Sequence, residues 1–386
     1  MSKEGLKELK KLANKGDAEH QYYLGLSYYF GSDIKQNYKK AFNWCLKAAE
    51  QGYAEAQFKV GKCYMKGEGV KVDYVKAIDW LTKAVDNGNA DAPIFLNECY
   101  NSGLGDKHKF VKNFKKQLAA AEKGNVKAQC NVGLCYRDSK GVAQDFDKAL
   151  DWLYKSAENG SAEAMCQLGR ACYAVKKYQM AIDWATKAAD KGHAEAQYLL
   201  GDCYDFGRGV ARDDYKAVEW FKKGAKGGSI GAQYNLGVHY YDGAGVAQNY
   251  AKAVKWYKKA ARQGFSPAQF NLGNCYYRGE GVRQDSAKAV DWFIKAANQG
   301  HSKAQYNLAN RYYAGDGVAK SFRKAAQWYE KSAQQGVDRA QYAIGNCYFY
   351  GEGVRKDVLK AVDWWKKAAE QGVEEAKQDL ARLGVQ

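Results

Sequence analysis

The stretch Ala268-Gln269-Phe270-Asn271-Leu272-Gly273-Asn274-Cys275-Tyr276-Tyr277 decides how this chain is read. It returns as Ala56-Gln57-Phe58-Lys59-Val60-Gly61-Lys62-Cys63-Tyr64-Met65 and as Ala340-Gln341-Tyr342-Ala343-Ile344-Gly345-Asn346-Cys347-Tyr348-Phe349. A second landmark is the glycine closing each Lys-Ala-Ala-x-x-Gly run or its variant. These glycines stand at 16, 52, 88, 124, 160, 192, 228, 264, 300, 336 and 372, so the spacing is 36 four times, 32 once and 36 five times. A fixed period of this size marks a stacked array of small units, none able to bury its apolar face alone.

Ten full repeats follow: 17–52, 53–88, 89–124, 125–160, 161–192, 193–228, 229–264, 265–300, 301–336 and 337–372. Half-repeats at 2–15 and 373–383 are expected to cap the ends, so that 1–386 reads as one α/α array and as a monomer. Each repeat holds two helices. Helix A carries Ala56, Val60 and Tyr64 at i, i+4 and i+8, and helix B carries Ala77, Trp80 and Ala84 at i, i+3 and i+7. The tryptophan recurs at 44, 80, 152, 184, 220, 256, 292, 328 and 364, nine of the ten in one register, with Trp365 beside the last. This stripe is expected in the core.

Helix A also carries an interior glycine, as at Gly61, Gly201, Gly273 and Gly345. Glycine there costs about 0.5–1 kcal/mol against alanine. Its recurrence predicts that helix A approaches its own helix B too closely for a Cβ. The A–B connection reads Gly67-Glu68-Gly69-Val70 or Gly279-Glu280-Gly281-Val282. Such glycines suit left-handed helix C-caps, and the valine is expected to tuck inward. They are not a phosphate-binding loop, because no strand precedes them.

Two repeats depart from the pattern. The third has Pro93 at the start of helix A, Asn97 for the interior glycine, Lys116 for the tryptophan and an irregular loop expected over 105–112. The fifth loses four residues from its A–B turn, Tyr173-Ala174-Val175-Lys176-Lys177-Tyr178.

The formal net charge of +17 admits an acidic protein, a nucleic acid or an anionic membrane surface as partner. No run of 18 apolar residues occurs, so no transmembrane helix is expected, and Met1-Ser2-Lys3-Glu4-Gly5-Leu6 opens no apolar leader. The five histidines make no His-x-x-x-His pair and the cysteines no Cys-x-x-Cys, so neither a metal nor another cofactor is expected. No nucleophile elbow or triad signature is present, and the chain reads as a non-enzyme.

Ala-x-x-x-Leu-Gly-x-x-Tyr, Gly-x-Gly-Val and Lys-Ala-x-x-Trp-x-x-Lys-Ala-Ala-x-x-Gly together resemble the Sel-1-like repeat, within the tetratricopeptide superfamily. The resemblance implies an all-α, right-handed superhelical α/α-solenoid and a role as a scaffold or adaptor for proteins. Some secreted relatives staple each repeat with paired cysteines. Here cysteines 63, 99, 135, 203, 275 and 347 form one unpaired register, which fits small hydrophobes in a reducing, cytoplasmic setting. A periplasmic or secreted placement is the alternative if a leader has been removed.

The same resemblance implies a concave groove lined by helix A. There an asparagine two residues before the glycine, or one after it, often holds an extended peptide. Asn131, Asn235, Asn271 and Asn307 stand at the first position, and Asn274, Asn310 and Asn346 at the second. An asparagine side chain both donates and accepts, so it matches a peptide amide in both directions. The competing reading is that these residues bond between repeats. Tyr241, Tyr277, Tyr313 and Phe349 fall one turn onward, and amides with aromatics make a plausible peptide groove. A second candidate is a basic patch in the third repeat, Lys107, Lys109, Lys112, Lys115 and Lys116, suited to acidic lipid headgroups or nucleic acid.

Overall fold

The computed structural model describes residues 3–31, 34–101 and 104–385; side chains at 3, 97–101 and 104–109 lie outside that description. Among the described residues every regular element is an α-helix, and the chain divides into two contact units, Met1–Ser161 and Ala162–Gln386. The first holds α1 (Lys3–Asn14), α2 (Ala18–Phe30), α3 (Tyr38–Glu50), α4 (Ala54–Lys66), α5 (Tyr74–Asp86), α6 (Ala92–Asn101), α7 (Leu104–Glu122), α8 (Val126–Asp138) and α9 (Phe146–Glu158). The second opens with α10 (Ala162–Ala174), α11 (Tyr178–Asp190), α12 (Ala194–Phe206), α13 (Asp214–Lys226), α14 (Ile230–Asp242) and α15 (Tyr250–Arg262). It continues with α16 (Ser266–Arg278), α17 (Ser286–Asn298), α18 (Ser302–Ala314), α19 (Phe322–Gln334), α20 (Asp338–Tyr350), α21 (Val358–Glu370) and α22 (Glu374–Arg382).

Local signals fix the helix ends. Gly279 ends α16 in the left-handed region at φ 75°, and its N–H returns to the Cys275 carbonyl. Four residues after Gly281, Asp285 caps α17 by accepting from the Lys288 N–H at 2.9 Å. The second turn glycine has a different reason. At Gly353 a Cβ would collide with the Phe322 carbonyl at the start of the preceding helix B. The first glycine therefore closes a helix, and the second seats one repeat on the next. The following valines, such as Val282, Val318 and Val354, are partly buried against the core.

The close approach of helix A to helix B is real. A Cβ on Gly273 would lie 2.6 Å from Cε1 of Phe293, and one on Gly237 would lie 2.6 Å from the Tyr257 ring. The side chain filling this space is not the recurrent tryptophan but the residue after it. That position holds Cys45, Leu81 and Leu153 in the first unit, and Ala185, Phe221, Tyr257, Phe293, Tyr329 and Trp365 in the second; all are buried. The tryptophans themselves are half-buried, which corrects their expected place in the core. They sit at the edge of the apolar arc, where only one indole face packs inward. The other face is covered by the lysine three residues on: Lys223 over Trp220 at 4.1 Å, Lys259 over Trp256 at 4.5 Å, Lys295 over Trp292 at 4.1 Å.

A buried amide spine joins the repeats. Gln269 is 4% exposed; its Nε2 donates to the Ala261 carbonyl of α15 at 3.1 Å, and its Oε1 accepts from Gln299 after α17 at 2.8 Å. Gln305 bonds likewise to Ala297 and Gln335, and Gln341 to Ala333 and Gln371. Gln57 does the same with Ala49 and Asn87 in the first unit. Each glutamine thus ties the end of one helix B to the end of the next.

The two aberrant repeats differ in outcome. The irregular loop expected over 105–112 is helical, within the 19-residue α7. Gly103-Leu104-Gly105 keeps the register of the turn glycines, yet the helix B of this repeat already begins at Leu104. Lys112, Lys115 and Lys116 are exposed on α7, while the side chains of Lys107 and Lys109 lie outside the described residues. In the fifth repeat a tight turn joins α10 to α11, with Lys176 in the left-handed region at φ 61°. Cys63, Cys203, Cys275 and Cys347 are buried and unpaired; Cys99 lies outside the described side chains. Burial pushes the Cys275 thiol up to about 12.

Candidate partner-binding face

Helix A presents three successive positions on one face around its glycine: two before, one after and four after. In the second unit the structure brings the expected residues onto a row of four helices, α14, α16, α18 and α20. Asn235, Asn271, Asn274, Asn307, Asn310 and Asn346 are all half-buried there. Asn131 lies on α8 in the first unit, where it donates to Gln117 at 3.3 Å.

These amides are held from within. Asn307 donates from Nδ2 to Oδ1 of Asn274 at 3.1 Å, linking α18 to α16. Asn310 accepts from the Tyr329 hydroxyl at 2.6 Å, and Asn346 from Nε1 of Trp365 at 3.0 Å. The Asn271 amide faces the hydroxyls of Tyr234 and Tyr257. Burial raises both phenols above their ordinary value, so they remain protonated. The ladder therefore packs repeats together and also presents groups outward. An asparagine has more hydrogen-bonding capacity than one partner uses.

The aromatic positions form a second ladder. Tyr241 donates to Glu280 at 2.7 Å and Tyr313 to Glu352 at 2.8 Å, as Tyr29 does to Glu68 at 2.9 Å in the first unit. Each carboxylate sits between the turn glycines of the next repeat. The hydroxyl hydrogen bond is the first cause raising Tyr313, up to about 12, whereas burial leads for Tyr241, also raised to about 12. Tyr277 departs from this pattern. The Arg311 guanidinium covers its ring at 4.1 Å and pairs with Asp316 at 2.5 Å. Phe349 has no hydroxyl and packs against Trp365 at 5.1 Å.

Three clefts open along these helices; one of about 540 Å³ lies near the starts of α16 and α18, against Phe270, Asn271, His301 and Lys303, and the other two hold the tyrosine–asparagine clusters. One, of about 280 Å³, lies between α14 and α16 and is lined by Tyr234, Tyr241, Tyr257, Asn271, Asn274 and Arg278, with Asp242. The other, of about 350 Å³, lies between α18 and α20 and includes Tyr306, Tyr313, Tyr329, Asn310, Asn346 and Arg339. Sequence reasoning missed the tyrosines at 234, 257, 306 and 329. For Tyr257 and Tyr329 the available signal was the variable residue after each constant tryptophan, whose ring reaches through the A–B contact to the helix-A face; Tyr234 and Tyr306 stand on helix A directly after the recurrent glutamine.

A model of the Sel1 repeat matches residues 18–53, 54–89, 126–161, 162–193, 194–229, 230–265, 266–301, 302–337 and 338–373. The chain belongs to the Sel1 repeat family. Between the matched spans lies 90–125, the repeat that carries Pro93, Asn97 and Lys116. Among solved structures, this Sel1 repeat chain is similar to a protective antigen of uropathogenic Escherichia coli displaying an SLR fold. Identity is 32% over 98% of this chain and 90% of that one, with a TM-score of 0.48. It is similar also to a Sel1 repeat protein from Oxalobacter formigenes, 29% identical over 98% and 90% of the two chains, TM-score 0.47. A putative Sel1 repeat protein from Klebsiella pneumoniae is 24% identical over 51% of this chain and 98% of its own, TM-score 0.37. No curated protein matches. Sel1 repeat proteins generally act as protein-interaction scaffolds, and their fold is typically non-catalytic. No described helix is long and apolar enough to cross a membrane.

Proposed function

We propose that this Sel1 repeat protein is a non-catalytic scaffold that binds an extended peptide, acidic in character, along α14, α16, α18 and α20. The observation that carries the reading is the pair of clefts in which tyrosine rings and asparagine amides line one face of successive repeats. Rings supply large contact area at low entropic cost, and amides fix the peptide backbone. A net charge of +17 favours an acidic partner and speeds its approach. The single unpaired cysteine register accords with a reducing compartment.

The test is retention of a partner from native lysate on the full chain and on Asn271→Ala with Asn310→Ala, one amide from each cleft, each with a urea unfolding curve. Retention falls at least tenfold while the unfolding midpoint moves little. Parallel loss of both, or no partner retained by the unaltered chain, rejects the reading.

A further inference from the structure

The two tyrosine–asparagine clefts stand two repeats apart, and the equivalent position between them is filled by side chains, while a separate cleft of about 540 Å³ opens nearer the starts of α16 and α18, against Phe270, His301 and Lys303. Tyr234, Tyr241, Tyr257 and Asn274 of the first correspond, two 36-residue periods on, to Tyr306, Tyr313, Tyr329 and Asn346 of the second. In the intervening repeat the paired rings are Phe270 and Phe293, which carry no hydroxyl. There Asn307 and Asn274 bridge α18 to α16 at 3.1 Å. Arg311 lies flat over Tyr277 at 4.1 Å, held by Asp316, with its side chain only 15% exposed.

The alternation is written in three positions. The bridge needs an amide on both helices. Val238 stands opposite Asn271 at the first cleft, and Ala343 stands opposite Asn310 at the second, so neither bridge can form. Where Arg311 fills the middle, Cys275 and Cys347 leave the space open. Open, closed, open is therefore a property of these side chains.

Both clefts offer donors. Asn271 faces the oxygens of Tyr234 and Tyr257, leaving their hydroxyl protons to point to a ligand. Asn310 and Asn346 have their oxygens taken by Tyr329 and Trp365; the Asn346 amide also faces the Tyr342 hydroxyl, which leaves Nδ2 of Asn310 to donate. Arg278 and Arg339 stand at the rims in exposed ion pairs with Glu280 at 3.8 Å and Glu375 at 2.7 Å, pairs that exchange at little cost. Glu280 and Glu352 are already engaged by Tyr241 and Tyr313. A carboxylate lines each cleft, Asp242 in the first and Glu352 in the second, and each opposes an incoming carboxylate.

We propose that these clefts are twin subsites for one extended acidic peptide, each taking one carboxylate side chain, with the closed repeat spanned by the peptide backbone. The inference rests on the scaffold reading above and adds bivalency and spacing to it. From α14 to α20 each helix A packs mainly on the helices B beside it rather than on the next helix A, so each step exceeds the spacing of a packed pair, about 8–10 Å, and the subsites stand at least about 20 Å apart. An extended chain needs at least about six residues to cover that distance.

Fluorescein-labelled peptides with two aspartates at that spacing, with one aspartate changed to alanine, and with half the spacing are titrated against the full chain by anisotropy. The two-aspartate peptide at full spacing binds at least tenfold tighter than either other, because its second contact is intramolecular. Val238→Asn or Ala343→Asn, each completing a bridge like that of Asn307, drops it to the one-aspartate affinity. Tyr257→Phe and Tyr329→Phe, which copy the closed repeat, give the same drop with the fold kept. Equal affinity for one and two aspartates, with binding still lost in Asn271→Ala, overturns twin anchoring and leaves the scaffold reading standing. No binding of any acidic peptide above a neutral one sinks both.

Discussion

Gln299 donates its side-chain amide to Oε1 of Gln269 across 2.8 Å, and Gln269 hands the contact on to the Ala261 carbonyl at 3.1 Å. Three helices meet at that one buried side chain. Its apolar surroundings make each bond worth keeping and each orphan expensive. The spine explains how an array with half-buried tryptophans fixes its repeat-to-repeat register: directional bonds set it at the helix ends, and apolar contact fills the interior.

Gln269→Leu leaves the Ala261 carbonyl and the Gln299 amide without this partner, and is expected to lower stability by about 2–4 kcal/mol. Gln299→Ala removes the outer bond alone and is expected to cost about 1 kcal/mol. The double variant falls short of the sum, because the two residues share one bond. Urea unfolding followed by tryptophan fluorescence measures all three. Additive losses count against a connected spine.

Gly273→Ala places a Cβ 2.6 Å from the Phe293 ring, and is expected to destabilise by about 1–3 kcal/mol as α16 and α17 are pushed apart. The same change in a Phe293→Leu background is expected to cost less, since a leucine at this position, as Leu81 and Leu153 show, would stand 2.9 Å from such a Cβ rather than 2.6 Å. A double-mutant cycle on thermal melting reads the coupling; no coupling would mean that the glycine serves the backbone rather than the ring.

The period, the two helices and the glycine contact were legible because each is a strict recurrence. The core partner of that glycine was not. The tryptophan is constant at the arc's edge, where lysine covers its outer face, while the true filler varies from Cys45 to Leu153 to Trp365. Variation there escaped a search for recurrence. Gln269 stood in the opening motif, yet its bonds run to Ala261 and Gln299, eight residues back and thirty residues on, beyond any pattern within one helix. The asparagine positions were legible as a row. Their split into bridging pairs and outward donors depends on the neighbours at Val238, Ala343 and Tyr329, which belong to other helices.

Tyr241→Phe removes the hydroxyl that reaches Glu280 in the next repeat at 2.7 Å. The carboxylate keeps water and Arg278 as partners, so the expected loss is about 1 kcal/mol. The ring remains, and α14 keeps its packing on Tyr250 at 5.0 Å. Hydrogen exchange is expected to rise selectively in the Gly279–Gly281 turn. Uniform acceleration along the chain would argue that the contact is not local.

His301 gives the chain an acid-side sensitivity whose sign can be worked out. Its Nδ1 accepts from the Ala304 N–H at 3.2 Å, capping α18, and its ring stacks on Phe270 at 4.7 Å. Burial, with a smaller push from Lys303, holds its pKa below the ordinary 6.5. Below that ordinary value the unfolded chain takes up a proton that the folded chain does not. Stability is therefore flat above it and falls as pH drops toward the folded value. Protonation also removes the lone pair that makes the cap. His301→Ser keeps an acceptor there, as Ser229 does for α14 by accepting from Ala232 at 3.3 Å. Unfolding midpoints taken between about pH 8 and about pH 5 are expected to decline less in that variant than in the parent chain. An identical decline in both would assign the acid sensitivity to other groups.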